Sequence, residues 1–144
     1  MSQPQVITGG LHHDHRGTIG FVNDFDMEKV RRLYHITHND VNVIRAWQGH
    51  QVECKWFHCI RGAFELRVIK IDDWKNPSAS LKWETYFLNG QESSVVFLPG
   101  GYVNGFRAIE KNSTLIVFSD QNLEESKNDD YRFDQDYWFK WEKL

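Results

Sequence analysis

Nowhere in its 144 residues does the chain hold an apolar run approaching the ~20 residues of a membrane-spanning helix. The opening MSQPQVITGG also lacks the apolar segment that directs export. A soluble, cytoplasmic protein with no membrane partner is expected. Cysteine is nearly missing: Cys54 and Cys59 are the two present. Five positions apart in a strand-like segment, they would point to opposite faces, which disfavours a bridge and fits a reducing compartment. No basic block recurs along one face and the formal net charge is -3, so a nucleic-acid partner is not expected. A length of 144 residues suits one domain with a proper core and is short for two. Residues 1–144 are read as a single domain.

What is present is a β pattern. Short segments rich in Val, Ile, Phe, Tyr and Trp occupy 18–23, 31–37, 42–48, 54–60, 63–71, 81–88, 94–98 and 113–118. Within 63–71, Phe64, Leu66 and Val68 alternate with Glu65 and Arg67, as a half-buried strand requires. Breakers separate the segments: Arg61-Gly62, Asn76-Pro77-Ser78, Asn89-Gly90 and Pro99-Gly100-Gly101. This spacing predicts an all-β sandwich or barrel. The stretch DWKNPSA reads as a surface loop, and NLEESKNDDYR as a solvated loop or short helix.

Two stretches concentrate chemistry. VIRAWQGHQVECKWFHCIRG (43–62) brings His50, Glu53, Cys54, His58 and Cys59 within ten positions, and LPGGYVNGF (98–106) looks like half of a site that needs a partner strand. The order of Asp14-x-Arg16-Gly17, RRLYHI (31–36), IRAWQGH (44–50), a Gly62 turn, LPGGYVNGF and VFSD (117–120) resembles the sugar-nucleotide branch of the cupins over nearly the whole chain. Two families of that branch are similar, the dTDP-4-dehydrorhamnose 3,5-epimerases and the dTDP-sugar 3,4-ketoisomerases. VFSDQNLEESKNDDYR (117–132) is more like the ketoisomerase tail. The resemblance implies a double-stranded β-helix, the cupin jelly-roll barrel, usually as a homodimer.

Metal-binding cupins show H-x-H, a Glu and a later His. On the spacing to Gly62 and to Pro99-x-Gly101, those places hold Gln48, His50, Lys55 and Asn104. One is a good ligand, and a lysine ammonium repels a divalent cation. The expectation is a site with no metal and no cofactor. Neither Glu53 nor His58 restores the set, because a strand through 54–60 puts His58 opposite Lys55.

Substrates of this branch are nucleoside diphosphates bearing a 4-keto-6-deoxyhexose, whose ketone makes the neighbouring C–H protons removable. A neutral imidazole, with an ordinary pKa near ~6.5, can take such a proton and return it. His50 stands where the ketoisomerases place a catalytic histidine. Lys55 matches the epimerase lysine and would stabilise an enolate. Gln48 and Asn104 can hydrogen-bond the sugar. The epimerase base falls on Gln48 and its tyrosine acid near Gln121 or Asn122, none of which transfers a proton. Tyr102 or Tyr34 is left for the acid. Arg45 and Arg16 resemble family arginines on the diphosphate, and Arg32 matches the R-x-Y segment. Arg45 and His50 have opposite strand parity, so both face one cavity only across a bulge or turn. Trp47, Trp56 or Phe106 could stack on the base.

Each residue has a plainer reading. His50 could be a satisfied core histidine, Lys55 could pair with Glu53 or Glu65 at the surface, and Asn104 could serve a turn. His12, His13 and His15 read as a solvated loop cluster. Two functions stay open: an isomerase or epimerase of a nucleotide-linked 4-keto-6-deoxy sugar in deoxysugar and surface-polysaccharide biosynthesis, or a cupin that binds a sugar nucleotide without turning it over.

Overall fold

The computed structural model describes residues 2–144. Twelve strands and one helical turn follow one another: β1 (Gln5–Thr8), β2 (Gly10–Asp14), β3 (Gly17–Phe21), β4 (Arg32–His38), β5 (Ile44–His50), β6 (Lys55–Arg61), β7 (Ala63–Lys70), β8 (Glu84–Asn89), β9 (Ser94–Leu98), β10 (Tyr102–Ala108), β11 (Ser113–Ser119), α1 (Leu123–Lys127) and β12 (Tyr131–Arg132). Two five-stranded antiparallel sheets, β1-β9-β6-β11-β4 and β12-β5-β10-β7-β8, face each other, and β2-β3 forms a separate hairpin. This is the all-β, cupin-like architecture that the pattern and the resemblance implied.

Period-two alternation builds the space between the sheets. β6 turns Lys55, Phe57 and Cys59 inward and β7 turns Phe64, Leu66 and Val68 inward. They close a core with Val96, Leu98, Phe106, Leu115 and Val117. Both outer faces are also covered. Trp56, Val95 and Phe97 pack under Phe25 and Val30 of the 22–30 segment. Trp47, Ile69 and Val103 pack under Trp138 and Trp141 of the C-terminal tail. Trp56 is therefore on the far side of its sheet from the interior.

Seven of the eight expected strands begin within two residues of their predicted starts, and β8 begins three residues late. The largest difference is β10. No strand is expected between 98 and 113, where Pro99-Gly100-Gly101 reads as a breaker and Asn104 could serve a turn, yet Tyr102–Ala108 is a fully buried strand between β5 and β7. Only Pro99–Gly101 turns, with Gly101 at φ 94°. The outward face of β7 is not solvated either: Arg67 bonds Glu65 at 2.8 Å and lies 3.7 Å over the Phe139 ring.

Candidate functional site

Between the inner faces of β4, β5, β6 and β10, roofed by α1 and β12, lies a cavity of about 700 Å³. Its wall carries five basic side chains, Arg32, Arg45, Lys55, Lys127 and Arg132, against one acid, Asp130. Gln48, Asn104, Tyr34 and Phe106 complete the part that matters for recognition. Such a surface suits an anionic ligand with polar substituents.

A bulge brings Arg45 to this wall. Across β5 and β10, Tyr102 faces His50 and Asn104 faces Gln48, but Phe106 faces Arg45: the register shifts by one residue between Asn104 and Phe106. Gly105 stands opposite Ala46 and Trp47, and the Ala46–Trp47 peptide is cis. A Cβ at Gly105 would lie 2.8 Å from the Ala46 Cβ and 2.9 Å from the Trp47 ring. The close approach thus requires a glycine on β10, and the extra residue resolves the parity conflict between Arg45 and His50.

Below the wall sits a buried charge cluster centred on Glu53, whose side chain is 0 % exposed. One carboxylate oxygen accepts from Ser119 Oγ at 2.8 Å and lies 3.5 Å from Arg32 Nη2 and 4.0 Å from Lys55 Nζ. The other has no hydrogen-bond partner and lies 3.6 Å from His50 Nδ1. Lys55 also reaches Gln48 Oε1 at 3.5 Å. Its pairing with Glu53 is interior, not the surface pair a strand lysine suggests.

His50 is 3 % exposed. Its Nδ1 donates to the Asp129 carbonyl at 2.5 Å, which leaves Nε2 as the acceptor nitrogen, buried and without a partner. Burial, then the Lys55 charge, pushes its pKa below the usual imidazole value, against the opposing pull of Glu53. Asp129 also fixes the turn between β5 and β6: its carboxylate accepts the backbone N–H of Gln51, Val52 and Glu53 at 2.8, 2.9 and 2.8 Å.

The other expected residues separate into those the fold gathers and those it does not. Arg32, Arg45, Gln48, Lys55 and Asn104 line the cavity. Asn104 is on a strand and donates to the Gln48 carbonyl at 3.3 Å, which replaces the turn role. Tyr102 lies one rung beyond Asn104, packed in the core, its phenol pKa raised by burial and then by Glu84. Tyr34 is on the wall, 5.1 Å from the Arg32 guanidinium. Arg16 is not at the cavity: it sits in the β2–β3 turn, 2.5 Å from Asp14, whose adjacent carboxylate captures it locally. Trp47 is 1 % exposed, its ring packed edge-on against Trp138 and tilted against Trp141 on the outer face of the sheet, so Phe106 is the stacking candidate on the cavity wall.

Lys127, Asp130 and Arg132 were not expected at the site. α1 is closed by a capping box between Asn122 and Glu125, and the chain then pairs Arg132 with Gln48 along β5. Asp130 accepts from Gln48 at 3.1 Å and Arg132 at 2.9 Å. Burial pushes its carboxyl up, but these two hydrogen bonds together with the Arg132 and His50 charges hold it below the usual carboxylate value. The four places that would hold a cupin metal do not form a donor set, since the Lys55 ammonium stands among two amides and one imidazole. Among the described residues no three His, Cys, Asp or Glu side chains converge as ion ligands. Both cysteines are free, and burial pushes the Cys59 thiol up to about 11.

The sequence matches no family model and no curated protein. Solved structures do match in fold. One is a variant of ChmJ, a 3'-monoepimerase from Streptomyces bikiniensis, in complex with dTDP; TM-score 0.78, 16% identity, 96% of this chain and 74% of that one covered. Another is a variant of the 3,4-ketoisomerase QdtA from Thermoanaerobacterium thermosaccharolyticum in complex with TDP-4-keto-6-deoxyglucose; TM-score 0.70, 18% identity, 93% and 90% covered. The Mycobacterium tuberculosis rmlC epimerase gives 0.72 and 19%, with 90% and 68% covered. The architecture is the one these epimerases and ketoisomerases share. No helix among the described residues is long and apolar enough to cross a membrane.

Proposed function

We propose that the cavity binds a nucleoside-diphosphate-linked 4-keto-6-deoxyhexose and that His50 moves a proton on the carbon beside the ketone, making the chain a sugar-nucleotide isomerase or epimerase. One observation carries the reading: an imidazole locked by the Asp129 carbonyl with its basic Nε2 unpartnered, one rung from a cavity of five basic groups. The diphosphate meets Arg45, Arg32, Lys127 and Arg132. The sugar, entering further, meets the amides of Gln48 and Asn104 and then the imidazole. Nε2 takes the C–H proton as the electron pair moves onto the ketone oxygen, where the Lys55 ammonium offsets the negative charge. Glu53, 3.6 Å from Nδ1, stabilises the imidazolium. The proton then returns to the same carbon, or, once the neighbouring hydroxyl has passed its proton to the former ketone oxygen so that the ketone moves across, to the former ketone carbon. Tyr102, across from His50, is the general acid of this reading, with Tyr34 on the wall as its alternative.

The same reading includes a homodimer. Hairpin β2–β3 pairs with no other strand and exposes Ile19. Arg16, bound to Asp14 and off the cavity wall, could serve binding only in a second copy.

Incubation in heavy water with a dTDP-4-keto-6-deoxyhexose, followed by proton NMR, tests the reading. Loss of the sugar proton beside the ketone is the expected result. A second reading, a cupin that holds the nucleotide without turnover, is favoured by the complete burial of Nε2. Bound sugar with no exchange would establish it instead.

A further inference from the structure

Arg45 does not reach the cavity unsupported. Its Nε–H is donated to Nε2 of His38 at 3.0 Å, and His38, 2 % exposed, is clamped in turn. Its ring stacks on Phe106 at 5.7 Å and 21° and meets Phe64 edge-on at 5.7 Å. Facing it are Arg45 from β5, the Phe64 ring from β7, the Phe106 ring from β10 and, in register on β11, Ser113. Arg45 is the charged group acting on it. An imidazole that accepts at Nε2 carries its proton on Nδ1, and here Nδ1 is buried without a partner. The whole polar function of His38 is therefore spent on Arg45.

We propose that His38 is a positioning residue: its neutral ring orients the Arg45 guanidinium toward the ligand's diphosphate, and protonation of that ring releases Arg45 and weakens anion binding. A protonated ring has no lone pair for Arg45 and places a second positive charge 3.0 Å from it. Burial, then the Arg45 charge, holds the His38 pKa below the ordinary value, so the neutral form prevails at neutral pH. The proposal rests on the reading of the cavity as a diphosphate site.

Thymidine diphosphate binding to the full chain by calorimetry, for wild type, His38→Phe, His38→Gln and Arg45→Gln, tests it. At about pH 8, where imidazoles are neutral, His38→Phe keeps the stacking ring but removes the acceptor, and should weaken binding about tenfold, close to Arg45→Gln. His38→Gln, which accepts without titrating, should stay within about threefold of wild type. From about pH 8 down to the lowest pH at which both proteins stay folded, wild-type affinity should fall more steeply than that of His38→Gln, which reports the background from the ligand's own phosphate, with its pKa near ~6. Parallel pH profiles, or an unweakened His38→Phe beside a weakened Arg45→Gln, overturn the proposal. If wild type fails to bind, or Arg45→Gln binds as tightly as wild type, the diphosphate reading fails instead. Nitrogen NMR of the free protein then separates the two ideas: an Arg45 Nε–H slow to exchange in wild type and His38→Gln shows the hold exists, and fast exchange in both removes it. Should His38→Phe not fold, the comparison of wild type with His38→Gln decides alone.

Discussion

His50 and Asp129 are 79 positions apart in the chain and joined by a 2.5 Å hydrogen bond from imidazole Nδ1 to the backbone carbonyl. A carbonyl only accepts, so this contact assigns the proton to Nδ1 and the lone pair to Nε2.

Replacing His50 by Asn removes that lone pair while keeping a group able to hydrogen-bond the Asp129 carbonyl. Solvent exchange of the sugar proton should fall by at least about 100-fold, the lower range for losing a general base. Thymidine diphosphate affinity should stay near wild type. Unchanged exchange in the NMR assay would remove His50 from the mechanism.

Glu53→Gln keeps shape and deletes the charge beside Nδ1. The Glu53 charge raises the His50 pKa, so its loss makes the imidazole a weaker base and should slow the exchange. Arg32 and Lys55 also lose their buried counter-charge, and the denaturation midpoint should drop with the rate. A variant with wild-type exchange would show that Glu53 serves packing alone.

Asp129→Ala strips the acceptor from three backbone amides of the 51–53 turn. Water can reach part of that turn, so the expected loss is about 2 kcal/mol in urea unfolding. The imidazole orientation should loosen too, visible as a changed His50 tautomer ratio by nitrogen NMR. A stable variant with an unaltered tautomer would separate the turn from the site.

Gly105→Ala forces a methyl to 2.8 Å from the Ala46 Cβ. Overpacking of this kind costs about 1–3 kcal/mol, and relief requires the bulge to move, taking Arg45 with it. Stability and thymidine diphosphate affinity should therefore fall together. Reduced stability with intact affinity would show that Arg45 does not depend on the bulge.

Both His38 and His50 are held below the ordinary imidazole pKa, each first by burial. Below about pH 6.5 the unfolded chain binds protons at these positions that the folded chain refuses. Stability should decline as pH falls from about 6.5 toward the folded-state values, by up to about 1.4 kcal/mol per pH unit for each histidine. Urea midpoints across that window, in wild type and His38→Gln, measure it, and a flat profile would contradict the sign.

The inward residues of β5 and β6 were legible because strand alternation and motif order agree on them: Gln48, His50, Lys55 and, given a bulge, Arg45. β10 was not, since three glycines and an asparagine read locally as a turn and only its position between β5 and β7 makes Tyr102–Ala108 extended. Lys127, Asp130 and Arg132 were hidden in an acidic run, because what brings that run to the site is the pairing of Asp130 and Arg132 with Gln48 on β5, 82 residues from Asp130. Arg16 misled for the opposite reason: a motif position cannot show that Asp14, two residues back, already holds the guanidinium. Glu53 looked like half of a surface pair until Ser119 and Arg32, from other strands, closed over it.

The segment 126–132 does two jobs with one short piece of backbone: it places Ser126, Lys127 and Arg132 on the cavity wall, and between them hangs the carbonyl that accepts from the imidazole. Grip and reactivity are consequently tied by a few covalent bonds. On the proposed reading, a guest that tugs the tail would tighten or slacken the base, and a chain whose tail has peeled away would lose its hold on the phosphate and the aim of its proton carrier at one stroke.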